Sequence, residues 1–364
     1  MQHSRSNQVS KVRVAMVGGG LGGFIGEVHR IAMRLDDRFD LVAGALSSDP
    51  QRAIESANAI GLHRAYGTWQ ELLLAEQESV DCISIVTPND SHAVIATEAL
   101  NAGYHVVLDK PMTRTLDEAI RLAEIANTSD KMLAMTYTYT GYPMLREMRR
   151  RISNGDIGQV RTVSIDYRQG WLSDPIEVDG QKQASWRTNP SLSGAGALGD
   201  IGSHAEHLAR FTTGLAIEEV RGDIHTLVAG RQVDDHACVQ LRMQNDVVGD
   251  LVCSQVCKGE RNNVSVRVWG NRGGMAWSHD ACDELQIMES DATSKVIYAC
   301  EEGNRVPAGH PAGFIEAFAN LYTDCADKIQ GKDVEVIDAN EGLASMKFID
   351  AALRSKESGL WEKV

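Results

Sequence analysis

Residues 14–30 read VAMVGGGLGGFIGEVHR. An apolar run ends in a cluster of glycines, and apolar positions then return at helical spacing. This is the pattern of a buried strand entering a tight turn that opens a helix. Gly18, Gly20 and Gly23 stand at the Gly-x-Gly-x-x-Gly spacing of a dinucleotide-binding turn, with Leu21 among them. Glycines permit the tight turn and let a pyrophosphate approach backbone N–H groups at the positive end of the helix. Gly26 competes with Gly23 as the glycine that lets helix and strand pack closely; the loop is then about three residues longer than usual. Such a turn needs a parallel sheet behind it.

The flanking sequence supplies that sheet. Strands are expected at 12–17, 39–46, 80–86, 105–108 and 131–136, with a short strand-like piece around Tyr66. Helices are expected from the turn to about Leu35 and at 51–60, 69–76, 92–101 and 116–126. Strands alternating with helices of this length form βαβ units, a parallel sheet covered on both faces and right-handed crossovers. After about residue 140 the rhythm changes. A helix at 143–154 leads to alternating strands at 160–168, 219–227, 237–243, 247–256 and 263–269, which read as an antiparallel α+β sheet. Residues 338–356 form an amphipathic helix with Leu343, Met346, Ile349, Ala352 and Leu353 along one side. The fold class is α/β plus α+β.

Composition narrows the function. The 364 residues carry a net charge of −14, which argues against nucleic acid or an anionic membrane as a partner. Hydrophobic content of 43% and charged content of 24% are those of a soluble globular chain. No apolar run is long enough to span a membrane, and MQHSRSNQVSK at the start lacks the apolar core of a secretory signal. The cysteines, at 82, 238, 253, 257, 282, 300 and 325, are odd in number and include no Cys-x-x-Cys pair. They read as reduced thiols in cytoplasm.

Parallel sheets bind ligands at the carboxyl ends of their strands. VTPNDSH (86–92) and VVLDKPM (106–112) lie at two such ends. Lys110, held extended before Pro111, is aimed out of the sheet edge, although a lysine there alone reads equally as an exposed loop residue. At the end of the second strand, ALSSDP (45–50) places Ser47 where an acid normally holds the ribose hydroxyls, with Asp49 two residues on. A serine weakens discrimination against a 2′-phosphate, which Arg52 could reach; a solvated helix position is the ordinary reading of Arg52. Both NAD and NADP stay open as cofactors, with NAD the first choice. Further on, GALGDIGSHAEHL (196–208) stacks Asp200, His204 and His207 on one helix face. That arrangement is open to three readings: a helix cap with two polar neighbours, a chelating pair, or acid–base chemistry. No cysteine or second histidine pair flanks it, so no metal is expected.

Taken in order, the glycine loop, Thr87-Pro88-x-x-x-His92, Asp109-Lys110-Pro111, Trp186-Arg187 and Gly199-Asp200-Ile-Gly-Ser-His204 resemble the Gfo/Idh/MocA family of glucose–fructose oxidoreductase and inositol dehydrogenase. The resemblance covers nearly the whole chain. It implies an N-terminal Rossmann dinucleotide-binding domain (1–136) and a domain on a mostly antiparallel open sheet for substrate binding and oligomerisation (137–337). The C-terminal helix (338–364) would then brace the Rossmann domain. It further implies that His204 is the acid/base, that Lys110 stabilises the reacting oxygen and that Asp200 holds substrate or orients the imidazole. Thr87, Pro88, Asn89 and His92 would back the nicotinamide half of the cofactor, beside Asp109, Lys110 and Pro111. The family's motif is Glu-Lys-Pro, so Asp109 keeps the charge on a shorter arm. His207 is expected in a supporting layer or at the surface.

Tyr139, Tyr142, Trp171, Lys182, Trp186 and Arg187 would face the cleft, where rings and hydrogen-bonding ends suit a sugar or cyclitol. Arg168 and Lys182 are candidates for an anionic substrate group, Asp235 and His236 for the cleft or a subunit contact, and His310 for substrate. The leading function is a dehydrogenase oxidising a secondary hydroxyl of a sugar, sugar derivative or inositol. The alternatives are an NAD-dependent redox glycoside hydrolase and a non-catalytic NAD(P)-binding regulator. An apolar face of the C-terminal sheet would join copies into a homodimer or homotetramer.

Overall fold

In the computed structural model, which describes residues 10–299, 305–307, 309–310 and 312–364, the glycine turn joins β1 (Val12–Gly18) to α1 (Phe24–Leu35). Most of the N-terminal stretch read for a signal, and Cys300, lie outside the described residues. The strands β2 (Phe39–Ala45), β3 (Arg64–Ala65), β4 (Cys82–Val86), β5 (His105–Leu108) and β6 (Leu133–Met135) complete the first sheet. Its order is β3-β2-β1-β4-β5-β6, parallel throughout. The chain reverses direction across the sheet at β1, so a crevice opens beyond the carboxyl ends of β1 and β4. The covering helices are α2 (Pro50–Ala59), α3 (Trp69–Ala75), α4 (His92–Asn101) and α5 (Leu116–Thr128). Side chains of Asp49, Thr68 and Thr115 cap α2, α3 and α5, satisfying N–H groups that a helix start leaves unpaired.

Helices α6 (Pro143–Ser153), α7 (Lys182–Arg187), α8 (Pro190–Ser193) and α9 (Ser203–Thr213) accompany the second sheet. Its strands are β7 (Val160–Arg168), β8 (Ile217–His225), β9 (His236–Met243), β10 (Val247–Ser254), β11 (Asn263–Gly270), β12 (Gly273–Ser278), β13 (Glu284–Glu289), β14 (Ser294–Tyr298) and β15 (Glu362–Lys363). They lie in the order β14-β13-β12-β11-β7-β10-β9-β8-β15. Among the described residues β7 and β10 pair in parallel and the other neighbours antiparallel. Side chains alternate between faces along a strand, so Val163, Ile165 and Tyr167 go to the core while Ser164, Asp166 and Arg168 face outward. Along β7 the outer face is polar, while Val248 of β10 and Val296 and Tyr298 of β14 expose apolar side chains. Ser164 donates to Asp250, and Arg168 is clamped on Asp166.

Two helices join the halves. α10 (Phe314–Ile329) runs back from the second sheet, and Phe318, Ala319, Tyr322 and Cys325 enter the core formed by Val12, Val14, Met16 and Met33 of the first domain. The Tyr322 hydroxyl meets His29 Nδ1 at 2.7 Å and Ser84 Oγ at 3.0 Å. α11 (Ala339–Ser358) touches both domains: Asn127 of α5 donates to Asn340, and Ser355 accepts from the Gly222 N–H of β8.

The structure separates the two candidate third glycines. A Cβ on Gly26 would lie 2.3 Å from the Cα and O of Gly19, whereas one on Gly23 would meet the Gly20 oxygen at 3.1 Å. Gly26 is thus where α1 touches the turn, one helical turn deeper than the usual spacing. Gly26→Ala is expected to lower stability by about 1–3 kcal/mol in urea unfolding and to weaken dinucleotide binding. Gly23→Ala is expected to cost less in the same titration.

Candidate active site

A cavity of about 1150 Å³ runs from the glycine turn, past the ends of β1 and β4, into the second domain. At one end its wall is formed by Gly18, Gly20, Leu21 and Gly23. Gly23 begins α1 without a side-chain cap, so the first-turn N–H groups remain for an anion. Ser47 and Arg52 border the same end, and Thr87, Pro88 and Asn89 form the opposite wall. These are residues that fit a dinucleotide: bare backbone donors for the pyrophosphate, and a slot over the switch point of the sheet.

His92 and Gly26 support this wall without forming it. The buried ring nitrogens of His92 lie 2.9 Å from the carbonyls of Pro111 and Thr87, which ties the two loops together from behind. Asp109 and Pro111 reach the cavity. Asp109 accepts from the Lys110 N–H and the Thr136 hydroxyl, and its second oxygen lies 4.0 Å from His29 Nε2.

Lys110, Asp200 and His204 meet on one wall at the other end. Lys110 Nζ donates to the Asp200 carbonyl at 2.6 Å and to its carboxylate at 2.8 Å. Arg187 and Gln255 hold the other carboxylate oxygen at 3.3 and 2.8 Å. Asp200 is not a helix cap. It sits in a π-turn, Leu198–Gly202, that continues into α9; such turns are frequent at functional sites. Burial pushes the Asp200 carboxyl up, but the charges of Lys110 and Arg187 outweigh it and hold it below the usual carboxylate range. Burial, then the Lys110 charge, keeps His204 well below the ordinary imidazole value. Its Nδ1 is buried without a hydrogen-bond partner among the described residues, and Tyr139 and Tyr137 stand edge-on to the ring at 5.1 and 5.8 Å.

His207 faces away from the cavity. It stacks on Tyr137 at 4.2 Å and lies 3.3 Å from a Glu341 carboxylate oxygen. Among the described residues no group of three or more possible ligands is placed to hold a metal.

Tyr139, Trp171, Lys182, Trp186 and Arg187 border the reaction end as expected. Tyr142 does not: it packs behind Tyr139, with its hydroxyl 3.0 Å from His279 Nε2, and His279 takes the place on the wall. Arg168 is on the outer face of the sheet, because odd and even positions of a strand cannot share a face. Asp235 is structural, accepting from the Leu227 and Val228 N–H groups and pairing with Arg231. His236 lies beside Cys238 on β9, and His310 is exposed beside Pro307. Neither borders the cavity.

The reading from sequence missed Gln169, Tyr167 and Asn262, which form a hydrogen-bonded cluster with Tyr139 on the wall. It also missed Gln255. The one available signal was the polar cluster Arg-Gln-Gly-Trp at the end of a long strand, 168–171.

Comparison with known proteins agrees with this layout. Residues 12–137 match the oxidoreductase family with an NAD-binding Rossmann fold, and residues 145–276 match the GFO/IDH/MocA C-terminal domain. The crystal structure of an oxidoreductase from Sinorhizobium meliloti is 39% identical, with a TM-score of 0.88, over 97% of this chain and 99% of that one. The chain belongs to the Gfo/Idh/MocA family. An inositol dehydrogenase homologue from Azotobacter vinelandii, solved with NAD+, is 30% identical with a TM-score of 0.93 over 99% of both chains. A levoglucosan dehydrogenase from Pseudarthrobacter phenanthrenivorans is 26% identical over 77% of this chain and 76% of its own. The protein is thus an NAD-binding oxidoreductase. No helix among its described residues is long and apolar enough to cross a membrane.

In this Gfo/Idh/MocA enzyme burial holds six of the described histidines below their ordinary value: His29 and His207 at about 4, His204 well below it, and His105, His236 and His279 as well. Each binds a proton more readily unfolded, so each supplies stability above about pH 6.5 that is lost as pH falls toward its lowered folded value. Glu206, pushed up to about 7 by burial, acts in the opposite sense and recovers stability over much of that range. The histidines outnumber it. The unfolding free energy from urea titration is expected to fall between pH 7 and pH 5, by roughly 1.4 kcal/mol per pH unit for each uncompensated histidine. His207→Gln should make that slope shallower.

Proposed function

We propose that this protein is a dehydrogenase that oxidises a secondary hydroxyl of a neutral cyclic polyol: a sugar, sugar derivative or inositol. One juxtaposition carries the reading. An ammonium, a carboxylate and a buried imidazole share a wall that continues into the dinucleotide turn. When bound, the nicotinamide ring supplies the hydride acceptor.

The chain's own residues manage the proton. His204, uncharged at neutral pH, is a proton acceptor for the carbinol hydroxyl. The Lys110 charge that weakens His204 as a base also stabilises alkoxide character on the substrate oxygen, so donor and acceptor are lowered together. Asp200 fixes Lys110 through two contacts and is itself fixed by Arg187 and Gln255. The substrate end offers Trp171 and Trp186 as faces for C–H groups, with Gln169, Gln183 and Asn262 as uncharged hydrogen-bonding ends. Lys110 and Arg187 are both engaged on Asp200, which favours a neutral polyol over a sugar phosphate.

The test is a panel of cyclitols, sugars, anhydrosugars and aryl glycosides, following absorbance at 340 nm and leaving-group release together. Net NAD(P)H formation on a neutral polyol is expected; release of aglycone without it would reassign the enzyme as a redox glycoside hydrolase. His204→Ala should lower kcat by about 10²–10⁴-fold with dinucleotide binding retained. Full activity in that variant would overturn the assignment of the base.

A further inference from the structure

We infer that the loop joining β8 to β9, residues 226–235, sets the geometry of the substrate end from outside the cavity, with Arg231 and Asp234 as positioning residues; this rests on reading that end as the polyol site. Neither residue borders the cavity. Arg231 holds the segment that presents Trp171, Lys182 and Trp186, and Asp234 holds the π-turn that presents Asp200.

Residues 169–181, between β7 and α7, form neither helix nor strand. Apolar anchoring of this segment is uneven: Leu172 is buried, but Val178 is exposed. Arg231 supplies the missing anchor. Its side chain is fully buried and donates to both Glu177 carboxylate oxygens, from Nε at 2.9 Å and from Nη2 at 3.1 Å. Nη1 donates to the Leu172 carbonyl at 2.9 Å and Nη2 to that of Asp174 at 3.4 Å. Apart from these, the polar link from 173–180 to the rest of the described molecule is the exposed ion pair of Asp174 with Lys258. The constraint passes on to α7, because the Gly180 and Gln181 N–H groups donate to the Glu177 and Ile176 carbonyls and Gln181 caps the helix. A planar fork shared between a carboxylate and two carbonyls fixes orientation as well as distance.

The same loop grips the reaction turn. The buried Asp234 carboxylate accepts from the Gly196 N–H at 2.8 Å and the Leu198 N–H at 2.6 Å, and its carbonyl accepts from the Ala197 N–H at 2.9 Å. Three successive N–H groups at the entry to the π-turn thus end on one residue. The fit is close: a Cβ on Gly196 would lie 1.8 Å from the Asp234 carbonyl oxygen. Asp235 joins the two grips. Its carboxylate pairs with Arg231, and its carbonyl accepts from the N–H of Gln255, whose side chain holds Asp200. One short loop therefore sets the distance between the recognising segment and the reacting turn, where small displacements cost large factors in rate.

The test compares Arg231→Gln, Glu177→Gln and Asp234→Asn in the full-length protein. Each is followed by steady-state kinetics on the polyol that the wild type oxidises best, by NADH titration and by hydrogen exchange. Glu177→Gln leaves Arg231 paired with Asp235, so it decides the matter should the arginine variant fail to fold. Arg231→Gln is expected to raise KM about 10-fold and Glu177→Gln about 3-fold, with kcat and NADH affinity within about 2-fold. Both should speed exchange in 172–187. Asp234→Asn should lower kcat about 10-fold with KM within about 2-fold. Unchanged KM and exchange in Glu177→Gln, or a parallel loss of kcat and NADH affinity in all three variants, would overturn the inference. A wild type that oxidises no polyol would instead overturn the proposed activity, and the exchange result alone would then decide on the loop.

Discussion

Lys110 and Asp200 meet across the boundary between the two domains, and the rest of the site is arranged around that contact. Lys110 stands at the end of a strand of the parallel sheet; Asp200 stands in the turn that starts α9 in the second domain. Their side chains are only 15% and 18% exposed. A largely buried ion pair recovers little net stability, because removing both charges from water costs about what their attraction returns. What it secures is position. Loss of either partner would leave the other charged group stranded in the cleft, so the two domains are held at the spacing at which the pair closes.

Behind that pair lies a second polar layer on the same helix. Glu206 and Arg210 of α9 form an ion pair with each other, Arg210 reaches Glu341 at the start of α11, and Ser345 contacts Glu206. α11 thus locks the helix that carries His204. A side chain used for proton transfer has to be held within a few tenths of an ångström, and supporting hydrogen bonds accomplish this where apolar packing would permit rotation.

The parallel half of the fold was legible because its signals are local. Cys82–Val86 is buried at every position, and the strand and helix at His105–Leu108 and His92–Asn101 end where composition says they should. The strands β12 to β14 were not legible: Gly273 and Gly274 open the first, and β14 is largely exposed, so neither a glycine-free run nor a buried stripe marks them. The motif residues Lys110, Asp200 and His204 could be picked out by type and spacing. Gln169, Asn262 and Gln255 could not, since their side chains converge only through the pairing of β7 with β10 and β11, and pairing between distant strands leaves no mark on neighbouring residues. Tyr142 shows the complementary error, an aromatic residue of suitable type assigned to the cleft although Tyr139 already fills the approach.

The return of α10 to the first sheet bears on how this architecture diversifies. Tyr322 closes a buried contact with His29 and Ser84, although it lies far along the chain from both. A nucleotide-binding unit excised at the apparent linker near residue 140 would expose the apolar face that this helix covers. Recombination among relatives would then conserve function only when the crossover keeps both distant segments from one parent, so the heritable module is discontinuous in the gene though contiguous in space.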